Sequence, residues 1–213
     1  MIIICVFTDL FLSLSLVMEQ EEFDLLSIPP RNAKKDHLIN LKIYGQSYLF
    51  IGVMETVIAH SMFFLYMWRH ARIPFHALVF AFEKYTDGFY GYTADELTHF
   101  NTVGQSVYFV TLVILQWGNI LSVRNKRLSI LQADPFRKAR RNPWLLVSMA
   151  ISLGIAIFVT EVKGIQDLFV TASVPLEFWF LPIPLALGIL IMDEIRKVLV
   201  RTWPKGPVAK VAW

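Results

Sequence analysis

Of 213 residues, 55% are hydrophobic and 17% charged, where a soluble domain has about a quarter charged. With a mean hydropathy of +0.51, that composition excludes an ordinary water-soluble enzyme and points to a membrane bundle. The single cysteine, Cys5, excludes an internal disulfide framework and a multi-cysteine metal cluster, and the net charge of +3 gains meaning only from where the basic residues lie.

The first predicted element covers about residues 2–19, within MIIICVFTDLFLSLSLVMEQ. It begins on apolar residues with no basic lead-in, and no small-residue cleavage site precedes EQEEFD, so it does not read as a secretory signal. Four more apolar segments follow at about 43–68, 100–121, 143–161 and 175–193. Each approaches the roughly 20 residues that take a helix across about 30 Å of hydrocarbon. None alternates polar and apolar residues as a barrel strand does. The expected fold is therefore an all-α integral membrane protein, a bundle of five transmembrane helices. Pro182 and Pro184 predict a kink or a locally unwound outer half in the last of them.

The connecting stretches set the orientation. Sixteen of the 20 lysines and arginines fall in residues 20–42, 122–143 and beyond 192, while 69–98 and 162–174 share four. The positive-inside rule then predicts an extracellular N-terminus and a cytosolic C-terminus. The longest connection, 69–98, contains EKYTDGFYGYTADEL and reads as an extracellular cap.

Polar residues within the apolar segments are the candidate chemistry. Asp9 costs roughly 2.5–3.5 kcal/mol at mid-helix on insertion scales, so it tends to face protein, a cavity or an ion. Cys5, Asp9 and Ser13 recur every four residues on one face, with Thr8 beside them, while Leu10, Leu14 and Val17 could meet lipid. The alternative is an Asp9 solvated near the outer headgroups. Glu55 is central in its segment and should face neighbouring helices, and His60 reads as an interhelical donor. Gln116 and Asn119, three apart, share a face that offers carbonyl oxygens to an ion or binds helices together. Ser148 and Ser152 read as marks of close helix packing.

No catalytic apparatus accompanies them. The chain has no GxxxxGK[ST], GxGxxG or HExxH, and no long soluble stretch for a nucleotide. Its basic loops lack a basic–aromatic recognition module, so phosphate headgroups explain them and no nucleic-acid partner is expected.

Taken in order, TDLFLSLSLVMEQEEFDLL, PPRNAKKDHLIN with YGQ, LQWGNIL, FWFLPIPLALGILIMDEIRK and RTWPKGP resemble the C-terminal membrane part of the P-type cation-transporting ATPases. The nearest group is the sodium/potassium and proton/potassium pump alpha subunits, and the matches run from about residue 4 to 207. The resemblance implies helices six to ten of a ten-helix pump, with the opening helix heading inward from outside. It implies an N-terminal part carrying the phosphorylation and nucleotide-binding domains, so ATP and Mg²⁺ would serve only a full-length pump. This chain alone should have no ATPase activity.

Carried over residue by residue, the resemblance makes Asp9 a cation ligand with Thr8 in support, and adds Gln116 and Asn119 from the eighth helix. Asn119 takes an aspartate's place, and Cys5 stands where another ligand aspartate is expected; a thiol is a poor substitute toward a hard alkali cation. Ser152 falls near a glutamate pair of the ninth helix in the sodium/potassium pump. In FYGYT, Tyr90 and Gly91 retain part of a beta-subunit contact. Arg196, Lys197 and Arg201 match a basic helix end set against lipid headgroups or cytosolic domains. The implied partners are membrane lipids, the pump's N-terminal part and a beta subunit, at the plasma membrane. The competing expectation is a stand-alone, catalytically inactive multi-pass scaffold or accessory subunit derived from such a pump.

Overall fold

The computed structural model describes residues 3–21, 39–81, 84–125, 128–130 and 142–211, and every regular element in them is helical. The stretch PPRNAKKDH and most of the second basic loop lie outside the described residues. Helix α1 (residues 3–18) opens as a π-helix at Ile3–Thr8, becomes α-helical at Asp9–Ser15 and closes in a 3₁₀ turn at Leu16–Met18. Then come α2 (Leu41–His70), π-helical over Gly45–Gly52, and the short α3 (Phe75–Leu78). The rest are α4 (Ala94–Val123), α5 (Pro143–Glu161), α6 (Lys163–Phe169), α7 (Glu177–Thr202) and α8 (Pro207–Val211). Helices α2, α4, α5 and α7 are long and apolar enough to cross a membrane, and α1 is a shorter apolar helix.

Local chemistry accounts for the helix starts. Asn40 caps α2 by accepting from the Ile43 amide at 3.0 Å. Thr93 and Glu96 form a reciprocal capping box on α4. Pro143 opens α5, where its missing N–H costs nothing. In α7, Leu181 keeps helical dihedrals but interrupts the regular helix between Glu177–Phe180 and Pro182–Thr202. Neither Pro182 nor Pro184 can donate to the ladder, which is the local break that the sequence predicts.

Helix α4 is the hub. Its Val107, Val110, Val113, Ile114 and Leu115 are buried against Met62, Tyr66 and Met67 of α2 and Phe178, Ala186 and Ile189 of α7. Two glycines permit this closeness. A Cβ on Gly104 would strike the Phe63 ring, and one on Gly118 would collide with the Ala186 carbonyl.

Polar contacts gather at the two ends of the bundle and show the helices alternating in direction. At one end Glu177 of α7 meets Arg69 at 2.7 Å and His70 at 3.0 Å, both from α2. At this end, too, Glu161 of α5 accepts from Ser173 Oγ at 2.8 Å, and Tyr85 donates to the Leu97 carbonyl at 2.9 Å. Burial pushes the Tyr85 phenol above its ordinary range. A tight turn completes this end, with Gly88 (φ 86°), Tyr90 (φ 54°) and Gly91 (φ 82°) left-handed. At the opposite end Arg124 of α4 pairs with Glu19 at 2.6 Å. There Asn142, just before α5, donates to Ser15 O at 2.9 Å and Glu19 Oε2 at 3.0 Å.

Candidate functional site

The site grows from one contact between α1 and α4. Thr8 is fully buried, and its hydroxyl lies 3.4 Å from Gln116 Oε1. That contact seats the next residue, Asp9, at the exposed margin of the same interface. Glu55 stands on the face of α2 that packs against α4. Glu55 Oε1 and Asn119 Oδ1 are both buried without a hydrogen-bond partner. Thr8 and Gln116 thus share one contact with Asp9 beside it, and Glu55 and Asn119 present unpartnered oxygens inside the bundle.

Helix α4 orients these groups by its pitch. Gln116 meets α1, Trp117 Nε1 donates to Ser152 Oγ of α5 at 2.9 Å, and Gly118 lies against Ala186 of α7. Three consecutive residues therefore reach three helices, as a step of about 100° per residue requires. Ser148 and Ser152 are buried on the inner face of α5, in the packing role their spacing predicts.

The faces of α1 depart from the sequence expectation. Thr8, Leu12 and Ser15 are buried, whereas Asp9 and Ser13 are exposed, so the bundle receives the neighbouring stripe rather than the 5–9–13 stripe. The Thr8–Gln116 contact fixes which stripe faces α4, and the wider π-helical turn at Ile3–Thr8 takes Cys5 off the four-residue spacing that relates it to Asp9. Cys5 lies in that opening, where only the backbone is described. Leu10, Leu14 and Val17 are exposed, as a lipid-facing stripe would be.

Other predicted positions separate from this cluster. His60 bonds the Thr56 carbonyl of its own helix at 2.8 Å and makes a T-shaped contact with the Tyr108 ring, so it meets α4 through its ring. Tyr90 and Gly91 lie in the exposed turn at the far end. Lys197, only 2% exposed, turns inward rather than toward headgroups. Its ammonium donates to Ser122 O at 2.8 Å and pairs with Asp193 at 3.2 Å and Glu194 at 3.1 Å. The cause is the acid four residues earlier on the same face of α7. Arg196 is held by Asp193 at 2.6 Å, and Arg201 is exposed.

Glu55 is the residue whose role beside Asp9 the sequence reading misses. Its signal is present in the spacing, because it shares a face with Ile51, Ala59, Met62 and Tyr66, all buried. Among the described residues no three His, Cys, Asp or Glu side chains form a metal-binding group. The donors that do gather are oxygens of the kind that alkali and alkaline-earth ions prefer.

Comparison with known proteins bears on this arrangement. Residues 1–199 match the family described as "Cation transporting ATPase, C-terminus". The chain is 27% identical over 211 residues, 95% of its length, to the human sodium/potassium-transporting ATPase subunit alpha-4. It is also 27% identical over 206 residues, 92% of its length, to the potassium-transporting ATPase alpha chain 1 of Xenopus laevis. It spans 20% of the length of each of these relatives.

Proposed function

The chain belongs to the cation-transporting ATPase C-terminus family, and from that premise we propose that it forms the last five membrane helices of an ATP-driven monovalent-cation pump. In this reading Asp9, Gln116 and Asn119, with Thr8 in support, hold the ion within the bilayer. The single observation that carries it is the Thr8–Gln116 contact, which brings the Asp9 turn of α1 against the amide-bearing face of α4. Phosphoryl transfer and nucleotide binding, with their ATP and Mg²⁺, belong to other parts of such a pump, and the chain contains none of their motifs.

The two ends of the bundle support an extracellular N-terminus. The end holding Glu19, Arg124, Asn142 and Lys197 is the one to which the lysine- and arginine-rich stretches connect, and the positive-inside rule makes it cytosolic. The opposite, tyrosine-rich end would face outward, where the exposed Tyr90–Gly91 turn is available to a beta subunit. Arg201 would meet anionic headgroups of the plasma membrane.

Ion binding tests this reading directly. The chain reconstituted in nanodiscs should bind Rb⁺ or Na⁺ in preference to choline at constant ionic strength, and Asp9→Asn should abolish that preference. No preference in the wild-type protein overturns the reading. An immunoblot against the C-terminus separates it from a stand-alone inactive scaffold. A pump gives a band about five times larger than 24.6 kDa, since this chain covers 20% of its relatives; a scaffold gives one near 24.6 kDa.

A further inference from the structure

We propose that Glu55 of α2 is a ligand of the same cation site, facing Asp9 across the bundle and supplying it with a second carboxylate. This rests on the cation-site reading above and adds a third helix to it.

The placement follows from the pairing of α2 with α4. His60 meets Tyr108, with ring centroids 5.0 Å apart and planes at 82°. One turn farther along α2, Phe63 and Tyr66 enclose Gly104, so the two helices run antiparallel. Following the same pairing five residues in the other direction sets Glu55 level with Val113. Gln116 is then less than one turn away, about 4.5 Å along the axis. Glu55 lies on the buried stripe of α2 with Ile51, Ala59 and Met62, so its side chain enters the bundle at this level.

Asn119 turns toward the same interface. It follows Tyr108 by eleven residues, three full turns plus about 20°, and Tyr108 is the residue that meets α2. Its Oδ1 and Glu55 Oε1 are each buried and without a hydrogen-bond donor. An unpaired buried oxygen opposes folding unless a donor or a cation meets it. Two acidic side chains, Asp9 beside the Thr8–Gln116 contact and Glu55 less than one turn from Gln116, increase that demand for positive charge.

The backbone carries an independent sign of the same site. Two π-helical stretches occur among the described residues, Ile3–Thr8 and Gly45–Gly52. The first ends directly before Asp9 and the second three residues before Glu55. Segments of this kind are rare and concentrate at functional sites. Here each one resets the angular register of its helix just ahead of a carboxylate.

The experiment is an Rb⁺ and Na⁺ titration of the full chain in nanodiscs, followed by tryptophan fluorescence, since Trp117 adjoins Gln116. Glu55→Gln keeps shape and volume and should weaken Rb⁺ binding about tenfold or more. Glu55→Asp should retain binding and change the Rb⁺/Na⁺ ratio, which a packing role would not do. Asp9→Asn is measured in parallel. Loss of binding in Asp9→Asn with unchanged affinity and ratio in both Glu55 variants overturns the Glu55 assignment and leaves the Asp9 site standing. Unchanged binding in all three variants overturns both. Unfolding midpoints within a degree of wild type show that the Glu55 variants are folded. If Glu55→Gln unfolds, Glu55→Asp decides the matter: an unchanged ratio is fatal to the assignment.

Discussion

Two polar regions of this bundle are built on opposite terms. At the end formed by α1, α4, α5 and α7, charges come in pairs: Glu19 with Arg124, Asp193 with Arg196, and Lys197 with Asp193 and Glu194. About one to two turns back along α4, Thr8, Asp9, Glu55, Gln116 and Asn119 offer oxygens and include no cationic side chain. The first region satisfies itself and ties helices together. The second has an electrostatic demand that its own residues do not meet. In hydrocarbon such a demand marks function more often than structure, because an unmet buried charge opposes folding. If the contrast holds, stability belongs to the first region and ion binding to the second.

The largest expected effect is at Lys197. Its ammonium is enclosed by Asp193, Glu194 and the Ser122 carbonyl. Lys197→Met removes the cation and leaves buried acid behind, which should cost about 3–5 kcal/mol. Chemical unfolding in detergent measures it. Lys197→Met combined with Asp193→Leu should recover part of the loss, since the buried acid leaves with its cation, while Glu194 and Arg196, both less buried, each lose a partner. A Lys197→Met protein as stable as wild type would end the claim that this end is structural.

Next is Gly118, which lies between Gln116 and Asn119 on α4. A side chain there meets the Ala186 backbone, which cannot rotate away. Gly118→Leu should cost about 1–3 kcal/mol by forcing α4 and α7 apart. The thermal midpoint reports the cost, and ion affinity should fall with it, because Gln116 is displaced from Thr8. A lower midpoint with unchanged affinity would separate the site from the α4–α7 crossing.

Trp117 gives a smaller effect. Trp117→Phe removes the bond to Ser152 while keeping an aromatic ring in place, an expected loss of about 1 kcal/mol. Ser152→Ala should cost a similar amount, and the double variant little more, because both changes delete one interaction. Additive losses would mean that the bond contributes nothing and that the two side chains act by packing alone.

How far these regions are legible in sequence differs for the same physical reason. The apolar segments are legible because their length and composition answer to a slab about 30 Å thick. Residues 43–68 and 143–161 accordingly fall within a few positions of Leu41–His70 and Pro143–Glu161. Gln116 and Asn119 stand out because amides are costly among Val, Ile and Leu. The inward turn of Lys197 is hidden because basic residues at a helix end suit headgroups equally well. Only the register of α7 against Ser122 decides between the two. The buried stripe of α1 is set by the Thr8–Gln116 contact between helices, which the spacing within α1 cannot foresee. Glu55 is legible as facing other helices, but its level beside Gln116 depends on the pairing of α2 with α4, which no local spacing encodes.

The smallest stability effect tests the comparison most sharply. Thr8→Val replaces a hydroxyl by a methyl of nearly equal volume at a fully buried position. The bond to Gln116 is long, at 3.4 Å, so its loss should lower stability by less than about 1 kcal/mol. If Thr8 belongs to the ion cluster, the same change should reduce Rb⁺ affinity severalfold, by removing a ligand oxygen and freeing the Gln116 amide to rotate. A stability loss as large as that of Lys197→Met, with unaltered Rb⁺ affinity, would place Thr8 with the structural network instead. Then the α1–α4 contact would be a packing device, and Asp9 would stand beside it without being held for an ion.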